Sequence, residues 1–215
     1  MALIELDVPS PRALLGGWAA FAAVMASQGW GDDVHATPEA WTYHDGGGNW
    51  ASLRFAGGRK AVLSGRDHEF SDTYPVGSGA LFQEEETDLL ADAPAWWGRH
   101  LGHPRFGDRV GFVYGWNGRT WQRARYAKRD GFRHVGLLGA CSVPGASDEP
   151  TFEALRVNAS PAPGHRRGGP SVAALRTLVR AQGRITPEVL EPVVPGWDVE
   201  AGVAAGRRFL EFGTG

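Results

Sequence analysis

The chain has 215 residues, 42% of them hydrophobic and nine of them tryptophan, which suits a packed globular core rather than a disordered chain. Its 22 basic and 24 acidic groups leave a formal net charge of −2, too balanced for a polyanion or membrane-surface binder, so nucleic acid is not an expected partner. No run nears the roughly 18 apolar residues a membrane span needs, and the acidic start "MALIELDVPS" lacks a signal-peptide pattern.

Cys141 is the single cysteine, so no internal disulfide can form, and a soluble cytoplasmic protein is expected. Lys60 and Lys128 are the only lysines among the 22 basic residues. That arginine bias, with 31 glycines, is what a GC-rich bacterial genome is expected to encode.

The first element is "SPRALLGGWAAFAAVMASQGW". Ser10 is a good N-cap, Pro11 suits the first helical position, and Leu14, Leu15, Trp18, Phe21, Ala22 and Met25 recur at helical spacing until Gly29. The tandem Gly16-Gly17 weakens this helix by about 1 kcal/mol each, which marks a close approach by another element. Three short β-like runs follow: "AWTYHD" (40–45), "NWASLRF" (49–55) and "KAVLSG" (60–65). "DGGGNW" between the first two lacks the lysine and the strand–loop–helix setting of a phosphate loop, and reads as a hairpin connection. Gly57-Gly58, taken as a two-residue turn, places Leu53 opposite Val62.

"SGRDHEFSDTY" (64–74) is the densest polar stretch. Asp67, His68 and Glu69, with His44 from the same sheet, could form an acid/base set or hold a divalent metal. Its spacing matches neither the zinc helix nor the calcium loop. In a straight strand Asp67 and Glu69 share one face and His68 points to the other, so only a bend can converge them. The competing reading is a strand exit in which Asp67 pairs with Arg66 or Arg54, a Ser or Asp caps a turn, and His68 bonds locally.

A helical segment is expected over 84–91, then a short aromatic helix after Pro94. His100 and His103 there stand at i, i+3, without the glutamate of a zincin helix. In "RVGFVYGWNGRTWQRARYA", two alternating runs flank Asn117-Gly118, the strongest short hairpin signal. A two-residue turn pairs Trp116 with Arg119, Tyr114 with Trp121, Phe112 with Arg123 and Val110 with Arg125. One face then interleaves aromatic rings with Arg119, Arg123 and Arg125, either as a partner-binding surface or as a core edge covered by arginine stems. "FRHVGLLGACSV" reads as a further strand, and its Cys141 lacks the G-x-S-x-G setting of a nucleophile turn.

From Asp148 onward the pattern is helical, interrupted by "SPAPGHRRGGP". The expected fold is α+β: an N-terminal helix on an antiparallel sheet of about five or six strands, with a helical C-terminal part. Residues 1–159 form the core domain, 160–170 a loop, and 171–215 a small helical subdomain packed on the core. With no recognised catalytic signature, the expected function is recognition (immunity-like, regulatory or adaptor) of a protein partner through Tyr114, Trp116, Arg119, Trp121, Arg123 and Arg125. A small-molecule ligand is the lesser expectation, and no cofactor is implied. The alternative is a small hydrolase- or lyase-like enzyme using Asp67, His68, Glu69 and His44, with a divalent metal admissible only there.

Overall fold

The structure is a computed structural model describing residues 3–102, 109–135, 155–164 and 168–212. Seven strands form one antiparallel sheet: β1 (Ile4–Leu6), β2 (Val34–Ala36), β3 (Ala40–His44), β4 (Trp50–Phe55), β5 (Ala61–Arg66), β6 (Phe112–Trp116) and β7 (Trp121–Arg123), in the order β1-β7-β6-β5-β4-β3-β2. The described helices are α1 (Pro11–Ser27), α2 (Gly79–Phe82), α3 (Trp96–Arg99), α4 (Val172–Arg180), α5 (Pro187–Leu190) and α6 (Val199–Phe212). The α+β class holds, with a larger sheet than expected and helices between strands as well as at the C-terminal end. Strands β1 and β2 are three residues each, too short for a period-2 signal, and only their partners β7 and β3 define them.

Helix α1 joins the two edges of the sheet, since β1 precedes it at one edge and β2 follows it at the other. Ser10 Oγ accepts the Ala13 N–H at 3.3 Å, and Pro11 fills the first position where no N–H is required. The helix is buried on nearly every side because one face lies on the sheet and the rest meets α4 and α6. Trp18, Trp41 and Phe209 form its central aromatic cluster, with ring centroids 5.4–6.3 Å apart. A side chain at Gly16 would collide with the Val179 carbonyl and the Gln182 amide, so this glycine admits the end of α4. Leu175, Leu178, Leu190, Val203 and Phe209 belong to the same core as Trp18 and Trp41, so the C-terminal helices and the sheet share one interior.

A smaller cluster, Val62, Val113, Leu89 and Trp97, covers the opposite face of β5 and β6. Trp97 lies so close over Gly115 that a Cβ there would overlap the indole ring.

Several local expectations change. Residues 84–91 are not helical: Thr87 donates to Tyr74 O at 2.6 Å, and Asp88 Oδ1 accepts the Leu90 N–H at 2.9 Å, drawing the backbone into bridge and turn. The expected strand from Phe132 begins as a 3₁₀ turn (Phe132–His134), and the remainder, with Cys141, lies outside the described residues. Leu53 pairs with Leu63, not Val62, because residues 56–60 form a longer loop closed by Ala56 N–H to Lys60 O at 2.9 Å. That one-residue slip puts both leucines on the same core face.

Candidate functional site

The strand leading into the acidic stretch ends at Arg66, and the chain turns at once. Asp67 is buried, and its Oδ1 accepts the Glu69 and Phe70 N–H groups at 3.0 and 2.8 Å. Its own N–H donates to Ser71 Oγ at 3.0 Å, whose hydroxyl donates to Asp130 O at 2.7 Å. Asp67 therefore stabilises a turn rather than an arginine pair, as a short acceptor side chain does when backbone donors lack partners. His68 and Glu69 point outward, 44% and 66% exposed and 3.7 Å apart. Asn49 Oδ1 accepts the His68 N–H at 2.8 Å and lies 3.0 Å from His68 Nδ1. His44 sits on β3 with its Nε2 3.5 Å from Asp33 Oδ1. The bend that would converge these groups is present, yet it turns Asp67 inward and Glu69 into solvent. Among the described residues no three His, Cys, Asp or Glu side chains are grouped to hold a metal. His100 Nδ1 is 2.8 Å from Trp96 O, and His103 lies outside the described residues.

The β6–β7 hairpin pairs Trp116 with Trp121 and Gly115 with Gln122, two residues away from the expected register. Residues 117–120 form a four-residue loop in which Asn117 Oδ1 accepts both the Arg119 and Thr120 N–H groups at 2.9 Å, and Gly118 adopts φ 97°. A shift of two keeps the faces, so Phe112, Tyr114, Trp116 and Trp121 do lie together, but on the core side beneath α1. Trp121 is 0% and Tyr114 3% exposed, and the Trp121 indole N–H donates to Pro9 O at 2.8 Å. The expected continuous aromatic–arginine surface is thus interrupted in its middle, because these rings fill the core between the sheet and α1. Arg119 and Arg125 are exposed, and Trp116 is half-buried.

Each end of the hairpin opens onto a hollow. At the end near the start of β6, a cleft of about 420 Å³ is walled by Tyr114, Arg123, Asp130, Arg133 and His134. Asp130 Oδ2 accepts from Tyr114 OH at 2.7 Å and Tyr126 OH at 2.9 Å, and Oδ1 accepts the Phe132 N–H at 3.2 Å. Burial, then the neighbouring Asp130 carboxylate, push both phenols well above their ordinary range. Arg123 stacks 4.1 Å over Tyr126 and donates through Nη1 to Ala124 O and Tyr126 O at 3.1 and 3.2 Å. The side chains of this network satisfy one another, and they tie the end of the hairpin to the 129–134 turn.

At the tip end, a groove of about 610 Å³ runs between the β4–β5 and β6–β7 loops, the start of α1 and the segment after α4. Its apolar wall comes from Leu15, Phe55, Trp116 and Leu210, and its charges are Arg12, Arg59, Lys60 and Arg184, with no carboxylate among the described lining residues. The first turn of α1, whose cap Ser10 reaches the groove, also carries no acid, so the positive end of the helix dipole adds to the same field. Of these residues only Trp116 follows from hairpin reasoning. The cations come from three separated stretches, and the one sequence hint was the rarity of lysine at position 60. This arrangement can bind negative charge and apolar side chains together, and it contains no nucleophile–base pair. No family model, curated protein or solved structure matches the chain.

Proposed function

We propose that the chain is a recognition protein that binds a protein partner through the tip of the β6–β7 hairpin and the groove beside it. The supporting observation is the wall of that groove, where half-buried Trp116 stands with four cationic side chains and no described carboxylate. In a chain with more acids than bases, such a one-signed concavity favours a complementary partner over general solubility. Trp and Arg are also the residue types that most often dominate binding energy at interfaces. Arg119, exposed on the loop above, extends the contact, while Tyr114 and Trp121 hold the hairpin from beneath.

Capture of partners from native lysate tests the reading, with wild type compared against Trp116→Ala, Arg59→Glu and the control Arg133→Ala at the other cleft. The two groove variants are expected to lose the captured protein about 30-fold or more, the size of a 2 kcal/mol contact, with melting curves confirming that they remain folded. Equal capture by all four proteins would contradict it.

A further inference from the structure

Resting on that reading, we infer that the element recognised in the groove is an extended acidic segment of the partner that places a large apolar side chain between its carboxylates. The hollow does not stand alone. It continues past Arg184 and Leu210, which it shares with a shallower shelf of about 400 Å³ carrying Thr186, Arg207 and Glu211. A compact ion would occupy one end of such a trough, whereas a segment rising about 3.3 Å per residue with side chains alternating in direction can follow it. Cations at the rim and Leu15, Phe55 and Trp116 along the wall call for carboxylates and an apolar side chain in alternation.

The charges are available for this purpose. Arg12, Arg59 and Arg184 form no ion pair with any described residue, whereas elsewhere Arg129 is matched by Asp72 at 2.7 Å and Lys128 by Glu85 at 3.4 Å. The trough also has a direction. On the shelf Glu211 offsets Arg207, whereas the groove holds cations alone, so the acidic part of the segment lies toward Arg12 and Arg59. A nucleic-acid strand fits less well, since its bases need open aromatic faces to stack on, whereas Phe55 and Trp116 are half-buried and packed against the core.

The test titrates the full chain into a fluorescein-labelled nonapeptide alternating Glu with Leu around a central Phe. The same peptide with Gln for Glu, a twelve-nucleotide oligo-dT and inorganic pyrophosphate as competitor are the other probes. Binding of the acidic peptide is expected to weaken at least tenfold with Arg59→Glu and with Arg184→Glu, to stay unchanged in Arg133→Ala, which lies at the other cleft, and to fall as salt rises. The Gln peptide is expected to bind at least tenfold more weakly. Equal binding of the Gln peptide, insensitivity to Arg59→Glu, tighter binding of oligo-dT, or full displacement by equimolar pyrophosphate would each overturn the inference. If no acidic peptide binds while Trp116→Ala and Arg59→Glu still abolish partner capture, the inference falls and the recognition reading stands. If capture is also indifferent to those variants, both fall.

Discussion

Asp67 shows how a residue with the look of a catalyst can be structural. A buried carboxylate that accepts two backbone N–H groups is tied to its own turn, and its loss leaves those donors unsatisfied. Asp67→Ala is expected to destabilise the fold by about 1–3 kcal/mol in urea denaturation, with Asp67→Asn intermediate because it keeps one acceptor. His68→Ala and Glu69→Ala are expected to stay within about 0.5 kcal/mol, as exposed side chains away from a core do. A Glu69→Ala cost as large as that of Asp67→Ala would reverse this assignment. The nearby exposed Arg129–Asp72 pair adds little despite its 2.7 Å contact, because solvent screens it.

Among the elements, the contact of α3 with β6 is the most exacting. The Trp97 ring sits where a Cβ of residue 115 would be, and a rigid indole cannot swing aside as a flexible chain would. Gly115→Ala is therefore expected to cost about 1–3 kcal/mol through overpacking. In a Trp97→Ala background most of that penalty is expected to disappear, and a double-mutant cycle from denaturation midpoints measures the coupling. Additive effects would mean that the two residues do not compete for the same space. The hairpin beside them shows how local chemistry and packing divide the work. Asn117-Gly118 specifies that the chain reverses, while the direct pairing of Trp116 with Trp121, ring centroids 5.6 Å apart, accompanies the four-residue loop.

For the molecule as a whole, three tyrosines link the fold to pH. Tyr114 and Tyr126 are raised by burial and then by Asp130, and Tyr43 by burial and then by Asp45, Asp67 and Asp33. A raised folded-state value means the native state holds its proton where the unfolded chain, near pH 10, releases it. Stability is accordingly complete below about pH 10 and lost as pH rises toward the folded-state values. The melting temperature is expected to be insensitive to these groups through neutral pH and to fall steeply above about pH 10, with phenolate absorbance at 295 nm appearing together with unfolding. Tyr114→Phe is expected to reduce that slope by at most about 1.4 kcal/mol per pH unit, the limit for one proton. Titration of all the phenols near pH 10 in an intact fold would contradict the burial of these rings.

Helix α1, its cap at Ser10, the strands β3, β4 and β5 and the existence of the 117–118 reversal were legible in the chain, because each depends on periodicity or hydrogen bonds spanning a few residues. Gly16 even signalled the close neighbour that proved to be α4. The register of both hairpins, the β1 and β2 edges and the unwound 84–91 segment were not legible, since each was decided by partners distant in sequence. The same holds for the two sites. The charge density of Asp67, His68 and Glu69 is a local pattern, but only the turn geometry determines that its carboxylate faces backbone donors. The groove is assembled from residues near positions 12, 59, 116 and 184, whose charges share a wall only because α1, two hairpin loops and the end of α4 meet at one end of the sheet. Local order follows from short-range sterics and hydrogen bonding, whereas that meeting point follows from how the large rings pack into a single core.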